Sequence, residues 1–267
     1  MEKAAIVNYE EMGANAHVAL NSMQYDGWIL RFSEGHTCRA NSVSVIYPSS
    51  IDPVEKIAFC EKMYARQDLP CVFKMTDGDE ELNELLVKRG YTVVTPTDVM
   101  ELGLGGVESA GRFGDDSMML RSDGDTTLPG EAGTDIIFFN EPTEEWLAPY
   151  FAFEGFNEKK QNIYRRMLDR VCIDAVYAAV KVDGRIVSVA SSASQSGRML
   201  IHNVVTDPEQ RRKGYACAVC TALLGKAKAD GTETAWLQVV QDNTAAYRLY
   251  DSLGFKKIYT YWYMKQS

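Results

Sequence analysis

One order of predicted elements occurs twice along the chain of 267 residues, once on each side of a segment rich in glycine, serine and aspartate. The order is strand, strand, helix, strand, helix, a glycine followed by an aromatic residue, and a last strand. Residues 27–30 correspond in this order to residues 184–187, and residues 86–91 correspond to residues 250–255. Similarity of this kind indicates repeated structural units, so the pattern predicts a tandem duplication.

The repeat predicts an α/β fold of two similar halves, each with a mainly antiparallel sheet flanked by helices. We place the first domain at residues 1–103, a linker at residues 104–133 and the second domain at residues 134–267. The linker assignment rests on glycine, serine and aspartate, which dominate this segment apart from a mostly apolar stretch at residues 118–121 that could form one strand.

Hydrophobic periodicity, together with glycine and proline breaks, predicts the elements of each half. The first half contains a helix at residues 9–21, strands at 27–32, 41–47 and 71–75, helices at 54–66 and 79–89, and a closing hairpin at 91–94 and 99–102. The second half contains strands at 136–140, 175–182, 185–194, 199–206, 234–240 and 255–264, and helices at 157–170, 216–229 and 244–253. A further helix begins near Thr143, and Thr143 and Asn157 are predicted to cap their helices.

Charge and composition limit the possible function classes. The formal net charge of −9 disfavours nucleic acid as a partner, because such binders present a basic face, and suits a cationic or amine substrate. Hydrophobic residues at 46% and charged residues at 24% are typical of a soluble globular protein. No apolar run approaches the roughly 18 residues that a membrane span needs, and the N-terminus does not resemble a signal peptide, so we expect a cytoplasmic protein without a membrane partner.

The six cysteines do not indicate a metal site or a disulfide framework. Only Cys217 and Cys220 lie close together in the sequence, and no histidine near them completes a set of metal ligands. We therefore expect reduced, mostly buried thiols and no bound metal.

The stretch at residues 204–216 carries the most chemical information. A predicted strand runs into a basic turn that contains Gly214, and a helix follows the turn. Backbone N–H groups at a helix start converge, and the helix dipole favours an anion there. The positive side chains of the turn are those of Arg211, Arg212 and Lys213. Such a turn taken alone could equally be a solvated basic loop.

Downstream residues favour the anion site. The predicted strand at 234–240 is followed by Asn243, then by Tyr250, and then by a glycine and a phenylalanine. With these motifs, residues 136–264 resemble the GCN5-related N-acetyltransferase (GNAT) superfamily. The first half resembles a degenerate repeat of the same fold, as found in tandem bacterial members of that superfamily.

The resemblance implies acetyl-CoA as the co-substrate and no metal. It implies that the basic turn binds the CoA pyrophosphate and that the preceding strand is splayed and pairs with pantetheine. The residues implied to bind the cofactor are Val204, Val205, Thr206, Arg211, Arg212, Lys213, Gly214, Tyr215, Ala216, Cys217 and Asn243. The matching segment of the first half, residues 48–56, lacks the glycine and the arginines, so we expect one cofactor per chain.

Acetyl transfer to an amine requires removal of a proton from the amine, stabilisation of the carbonyl oxygen and protonation of the leaving sulfur. The resemblance places Tyr250 beside the sulfur, where its hydroxyl could donate the proton, although a tyrosine of this kind could also belong to the core. The backbone N–H near Val205 is expected to stabilise the oxyanion.

The sequence leaves the general base open. Several GNAT enzymes have a glutamate on the strand that matches residues 237–239, but this chain has Gln238, which cannot accept the proton. His202 is one candidate because imidazole titrates near neutral pH. Glu154 is another candidate, because it lies between the first two helices of the second half, where the resemblance places the acceptor pocket. A chain of water molecules without a dedicated base is the third alternative.

The function we expect is transfer of acetyl from acetyl-CoA to a primary amine by direct attack in a ternary complex. A small-molecule acceptor is expected rather than a protein amine, because the first half could cover the acceptor side. The polar run at residues 31–42 could line that cleft or could form only a hydrogen-bonded turn. A non-catalytic acyl-CoA sensor and a purely structural scaffold are the competing hypotheses, and both a monomer and a homodimer remain open.

Overall fold

The computed structural model describes residue 1, residues 3–105 and 134–266, and the backbone of residues 126–127. The predicted strand at residues 118–121 and most of the predicted linker lie outside these residues. Within the described part of the chain, no helix is both long and apolar enough to cross a membrane.

The described residues form seven helices and twelve strands, which follow the predicted order closely. The helices are α1 Lys3–Ala16, α2 Pro53–Ala65, α3 Glu80–Lys88, α4 Glu144–Glu154, α5 Glu158–Leu168, α6 Tyr215–Ala229 and α7 Thr244–Ser252. The strands are β1 Asn21–Tyr25, β2 Trp28–Phe32, β3 Val43–Val45, β4 Val72–Thr76, β5 Tyr91–Gly103, β6 Thr126–Thr127, β7 Thr134–Phe139, β8 Asp174–Val182, β9 Arg185–Gln195, β10 Arg198–Thr206, β11 Thr234–Val240 and β12 Lys256–Gln266.

All twelve strands belong to one mixed sheet, so the expectation of a separate sheet in each half is wrong. The strand order is β1-β2-β3-β4-β12-β5-β11-β10-β9-β8-β7-β6. The last strand of each repeat is exchanged: β12 pairs with β4 of the first half, and β5 pairs with β11 of the second half. The two exchanged strands also pair with each other, which makes the sheet continuous.

The first predicted helix is misplaced. Helix α1 ends at Ala16, and residues 21–25 form β1, which pairs antiparallel with β2. Asp26 and Gly27 connect these strands with φ angles of 41° and 82°, the left-handed conformations that a tight two-residue hairpin turn requires. The Asp-Gly pair was the signal for this hairpin in the sequence.

The predicted closing hairpin at residues 91–102 is a single strand, β5. Pro96 lies within this strand at a bulge, where Thr95 has a φ angle of 53° and the register against β12 shifts between Tyr261 and Tyr263. A strand with neighbours on both sides gains hydrogen bonds along its whole length, which outweighs the local cost of one bulge.

Helix α1 packs on the centre of the sheet, across strands from both halves. Tyr9 stacks edge-on against Trp236, with ring centroids 5.2 Å apart, and both side chains are buried. Gly13 allows this close approach, because a Cβ atom there would lie 3.3 Å from Nε2 of Gln238. Successive side chains of β11 point to opposite faces of the sheet, so that Trp236 and Gln238 face α1 while Leu237 faces α6.

The two predicted helix caps differ in outcome. The side chain of Asn157 accepts a hydrogen bond from the N–H of Lys160 at 3.0 Å, which confirms that cap. Thr143 occupies the cap position of α4, but its side chain makes no capping hydrogen bond, so that prediction is wrong. The cysteines are free as expected, but only Cys60 and Cys220 are buried.

Candidate active site

Strands β10 and β11 run side by side at one end and then separate. They pair in parallel from Arg198 and Thr234 as far as Ile201 and Leu237, although both strands continue beyond that point. Asn203 lies at the point of separation with a φ angle of 56°, where the register against β9 also shifts. The predicted splayed strand is therefore present, and a bulge at its centre opens a gap in the sheet.

The side chain of Asn203 is held on both sides. Its Oδ1 accepts a hydrogen bond of 3.1 Å from the hydroxyl of Tyr150, and its Nδ2 donates one of 2.8 Å to Oγ of Ser191. These bonds stabilise a backbone conformation that non-glycine residues seldom adopt.

The direction of the backbone along β10 decides which N–H groups near Val205 face the gap. The N–H of Asp207 donates to the carbonyl of Val187 on β9 at 2.9 Å, and Val205 pairs with Val189 in the same ladder. Because successive N–H groups alternate in direction, the N–H of Val205 also faces β9. The N–H of Thr206, between these two residues, faces the gap instead.

The basic turn leads directly into α6. Arg212 and Gly214 have φ angles of 63° and 89°, and Gly214 stands at the cap position without a side chain to bond the first N–H groups. Arg211, Arg212 and Lys213 are exposed. No carboxylate of the described residues forms an ion pair with any of the three. The turn therefore offers backbone donors and positive charge together.

The first three residues of α6 are Tyr215, Ala216 and Cys217. Tyr215 is buried, and Ala216 and Cys217 are half-buried at the first turn of the helix. The first backbone N–H groups of an α-helix have no partner within the helix, so these residues present free donors toward the turn.

A cavity of about 390 Å³ extends from this gap toward the first half. At one end it is lined by Val204, Val240, Asn243, Ala246 and Tyr250. At the other end it is lined by Gly13, His17, His36, Thr37, Arg39, Phe156, Lys160 and Tyr164. Glu154, His202 and Gln238 also line it, so one cavity brings together residues of both halves and all three catalytic candidates.

Tyr250 is buried at the end of the cavity that adjoins the gap. Burial raises the pKa of its hydroxyl far above the usual value for tyrosine, and the nearby Arg39 only partly offsets this effect. The hydroxyl therefore keeps its proton at neutral pH. Asn243 lies at the same end, but its Oδ1 accepts the N–H of Ala246 at 3.1 Å, so it also caps α7.

The two candidate bases differ in their environments. Burial, together with the positive charge of Arg39, lowers the pKa of His202 to about 4. Glu154 lies at the mouth of the cavity and is exposed as a residue, yet the protein around its carboxyl group raises its pKa, and Arg211 and Arg39 offset this only in part.

The polar run at residues 31–42 has two roles. Arg31 and Asn41 hold the turn together, since Arg31 donates to the carbonyl of Ala14 at 3.2 Å and Asn41 accepts the N–H of Ser33 at 2.7 Å. Thr37 and Arg39 instead line the cavity. Both interpretations of this run are thus represented in the structure.

Sequence reasoning missed several residues of the cavity, namely His17, His36, Tyr150, Lys160 and Tyr164. The chain contains three histidines, and all three line this cavity. That scarcity was a usable signal, although their positions in the sequence did not show that they converge. Among the residues that the structure covers, no group of three or more His, Cys, Asp or Glu side chains could hold a metal.

Comparisons with known proteins identify the family of the chain. Residues 3–264 match the family described as "Probable histone acetyltransferase Rv0428c C-terminal". The uncharacterized N-acetyltransferase YobR of Bacillus subtilis (strain 168) is 25% identical over 252 residues, covering 93% of this chain and 94% of that protein. A ribosomal protein bS18-alanine N-acetyltransferase of Haemophilus ducreyi is 45% identical over 58 residues, which are 22% of this chain and 40% of that protein.

Solved structures show the same fold. A GCN5-related N-acetyltransferase from Kribbella flavida superposes with a TM-score of 0.66 at 17% identity, covering 98% of this chain and 95% of that one. A tandem GNAT protein from the clavulanic acid biosynthesis pathway superposes with a TM-score of 0.62 at 11% identity, covering 84% and 74% of the two chains. Since the family match spans residues 3–264, the chain belongs to the family described as "Probable histone acetyltransferase Rv0428c C-terminal".

Proposed function

We propose that this protein transfers the acetyl group of acetyl-CoA to the primary amine of a small molecule, by direct attack in a ternary complex. One observation carries the proposal: the gap between β10 and β11 opens into the same cavity as Tyr250, while β10 continues into the basic turn at the start of α6. The elements that would bind the cofactor therefore adjoin the element that carries the proposed proton donor.

The residues present fit CoA. The exposed guanidinium and ammonium groups of Arg211, Arg212 and Lys213 would bind the pyrophosphate, and Gly214 leaves open space, since a Cβ atom there would meet nothing within 4 Å. Backbone N–H groups facing the gap, such as that of Thr206, would pair with the pantetheine amides. Bound acetyl-CoA supplies the thioester carbonyl that the amine attacks.

The first half is not expected to bind a second cofactor. The carboxylate of Asp26 already occupies the segment before α2, which corresponds to the basic turn before α6. Asp26 accepts the N–H of Ile51 and of Ser50 at 2.8 and 2.9 Å, and the hydroxyl of Ser49 at 2.7 Å. These bonds, that of Ile51 first, lower the pKa of Asp26. Its carboxylate therefore stands before α2 where a phosphate would have to bind, and it would repel one.

In the proposed reaction a C–N bond forms and the C–S bond of the thioester breaks. Glu154 accepts the proton of the attacking amine, either directly or through one water, because its raised pKa makes it a stronger base than His202 with a pKa of about 4. A backbone N–H that faces the gap stabilises the oxyanion. Tyr250 donates its proton to the CoA sulfur.

The test is release of free CoA thiol from acetyl-CoA by the purified protein, with and without amines. The proposal expects release that depends on an amine, with stoichiometric acetylation of that amine. Tyr250→Phe is expected to lower kcat by about 100-fold or more, with acetyl-CoA affinity unchanged. Binding of acetyl-CoA without turnover across a broad amine panel would instead support a non-catalytic acyl-CoA sensor.

A further inference from the structure

The part of the cavity that is lined by Arg39 and Lys160, which we call the acceptor end, is positive in a protein that is negative as a whole. The formal net charge of the chain is −9. The side chains with a formal charge that line the cavity are those of Arg39, Lys160 and Glu154. Burial lowers the pKa of His17, His36 and His202, so the three histidines are neutral at pH 7. Two positive charges therefore face one negative charge.

Arg39 is the central positive group of this end. It is held in the short 3-10 turn Cys38–Ala40, and its Nε donates to the hydroxyl of Tyr261 at 3.4 Å. No carboxylate among the described residues forms an ion pair with it. Its terminal amino groups have no hydrogen-bond acceptor in that part of the chain either.

Arg31, the other arginine of the polar run at residues 31–42, lies on β2 and provides a contrast. The guanidinium of Arg31 donates to the backbone carbonyls of Ala14, His17 and Arg39, so its donors are occupied within the protein. A partly buried guanidinium without such acceptors favours an anionic ligand, because desolvated donors are costly to leave unpaired.

Two ring nitrogens add to this arrangement. Nε2 of His17 and Nδ1 of His36 are buried without a hydrogen-bond partner among the residues described, and both rings line the cavity beside Arg39. A neutral imidazole can donate one hydrogen bond and accept another. Each ring therefore retains an unpaired polar atom next to the cavity that Arg39 also lines.

We infer that the acceptor is an amine that also carries a carboxylate, as in an amino acid, with its carboxylate bound to Arg39 and its amine directed toward Tyr250. This inference rests on the proposed acetyl transfer and narrows its substrate class. Polyamines and aminoglycoside-type amines are disfavoured, because they bring several positive charges beside Arg39 and Lys160.

The experiment compares acceptors that differ only in the carboxylate: an amino acid, its carboxamide, and the amine left after decarboxylation, with spermidine as a polycation. Loss of a charge-assisted hydrogen bond corresponds to a decrease of about 10- to 100-fold in kcat/KM. We expect kcat/KM for the amino acid to exceed that for the carboxamide by this factor. Arg39→Gln is expected to abolish the preference, and Arg39→Lys to keep part of it.

Lys160→Gln is the matched control, since it removes a positive charge from the exposed mouth of the same cavity. It should reduce the preference for the carboxylate much less than Arg39→Gln does. Acetyl-CoA affinity, measured on each variant, reports whether the fold is intact.

Equal use of the amino acid and its carboxamide would overturn the inference, and so would an Arg39→Gln variant that lowers kcat/KM for all acceptors by the same factor. Preferential use of spermidine would do the same. These outcomes leave acetyl transfer itself in place. If no amine of the panel causes release of the thiol, the proposed function itself is contradicted.

Discussion

The hydroxyl of Tyr261 on β12 lies 3.2 Å from Oε1 of Gln238 on β11, although β5 separates the two strands. The same hydroxyl accepts the Nε–H of Arg39 at 3.4 Å. The side chain at the position where several related enzymes have a glutamate is thereby tied to a tyrosine and an arginine. Gln238 is thus part of a hydrogen-bonded chain with Tyr261 and Arg39.

This hydrogen-bonded chain leads to a stability prediction. Tyr261→Phe removes the partner of Gln238 and of Arg39, and is expected to lower the free energy of unfolding by about 1–3 kcal/mol. Tyr263→Phe is the matched control, because the Tyr263 hydroxyl is buried two residues away with no partner among the described residues. It should not lower the free energy of unfolding, because the hydroxyl that it removes is buried without a hydrogen-bond partner. Urea unfolding of both variants measures the difference, and equal losses would contradict the account.

A second prediction concerns the general base. Glu154→Gln should lower kcat/KM by about 100-fold or more and should remove the acidic limb of its pH profile. Because the pKa of Glu154 is raised, that limb should lie above the usual range of glutamate. His202→Gln should have the smaller effect. If His202→Gln were the more damaging change and the acidic limb persisted in Glu154→Gln, the assignment would be reversed.

Stability should also depend on pH through His202. Its pKa is about 4 in the folded chain and 6.5 when exposed, so between these values the unfolded chain binds a proton that the folded chain does not. The contribution of neutral His202 to the free energy of unfolding is fully present above pH 6.5. It is lost as the pH falls toward 4, and the loss is at most about 3 kcal/mol. Urea unfolding at pH 7, 5.5 and 4 should show a smaller loss for His202→Gln than for the unchanged protein. Identical losses would rule out this contribution.

The strand exchange predicts that the halves depend on each other. Residues 106–267 produced alone would leave β11 without β5 and β12 without both neighbours, exposing unpaired edges. We expect this fragment to aggregate alone and to become soluble, and to bind acetyl-CoA, when residues 1–105 are produced with it. A folded monomeric fragment that binds acetyl-CoA by itself would contradict the prediction.

Local patterns were enough to predict most elements. The span of β11, the cap of α5 at Asn157 and the turn before α6 all follow from alternation, capping residues and glycine within about ten residues of sequence. The splay of β10 was implied by resemblance and is present. These features depend on near neighbours, which a sequence displays directly.

The remaining features depend on contacts between distant residues. Nothing local to β5 or β12 indicates that they exchange partners, since the pairing of β5 is decided by whether a longer continuous sheet forms. The cavity brings Arg39 and His36 close to residues more than a hundred positions away, such as Lys160 and Tyr250. Charge and chemistry at the acceptor end therefore became visible only in the folded chain.

Calorimetric titration of acetyl-CoA tests the central claim, that the turn before α6 binds the cofactor. Gly214→Glu places a carboxylate in that turn, while Gly231→Glu makes the same change just beyond the other end of α6. Both glycines have positive φ angles, 89° and 82°, and both have open space around a Cβ atom, so the two variants carry similar backbone strain. We expect one site per chain, lost in Gly214→Glu and retained in Gly231→Glu. No binding to the unchanged protein, or undiminished binding to Gly214→Glu, would contradict the account.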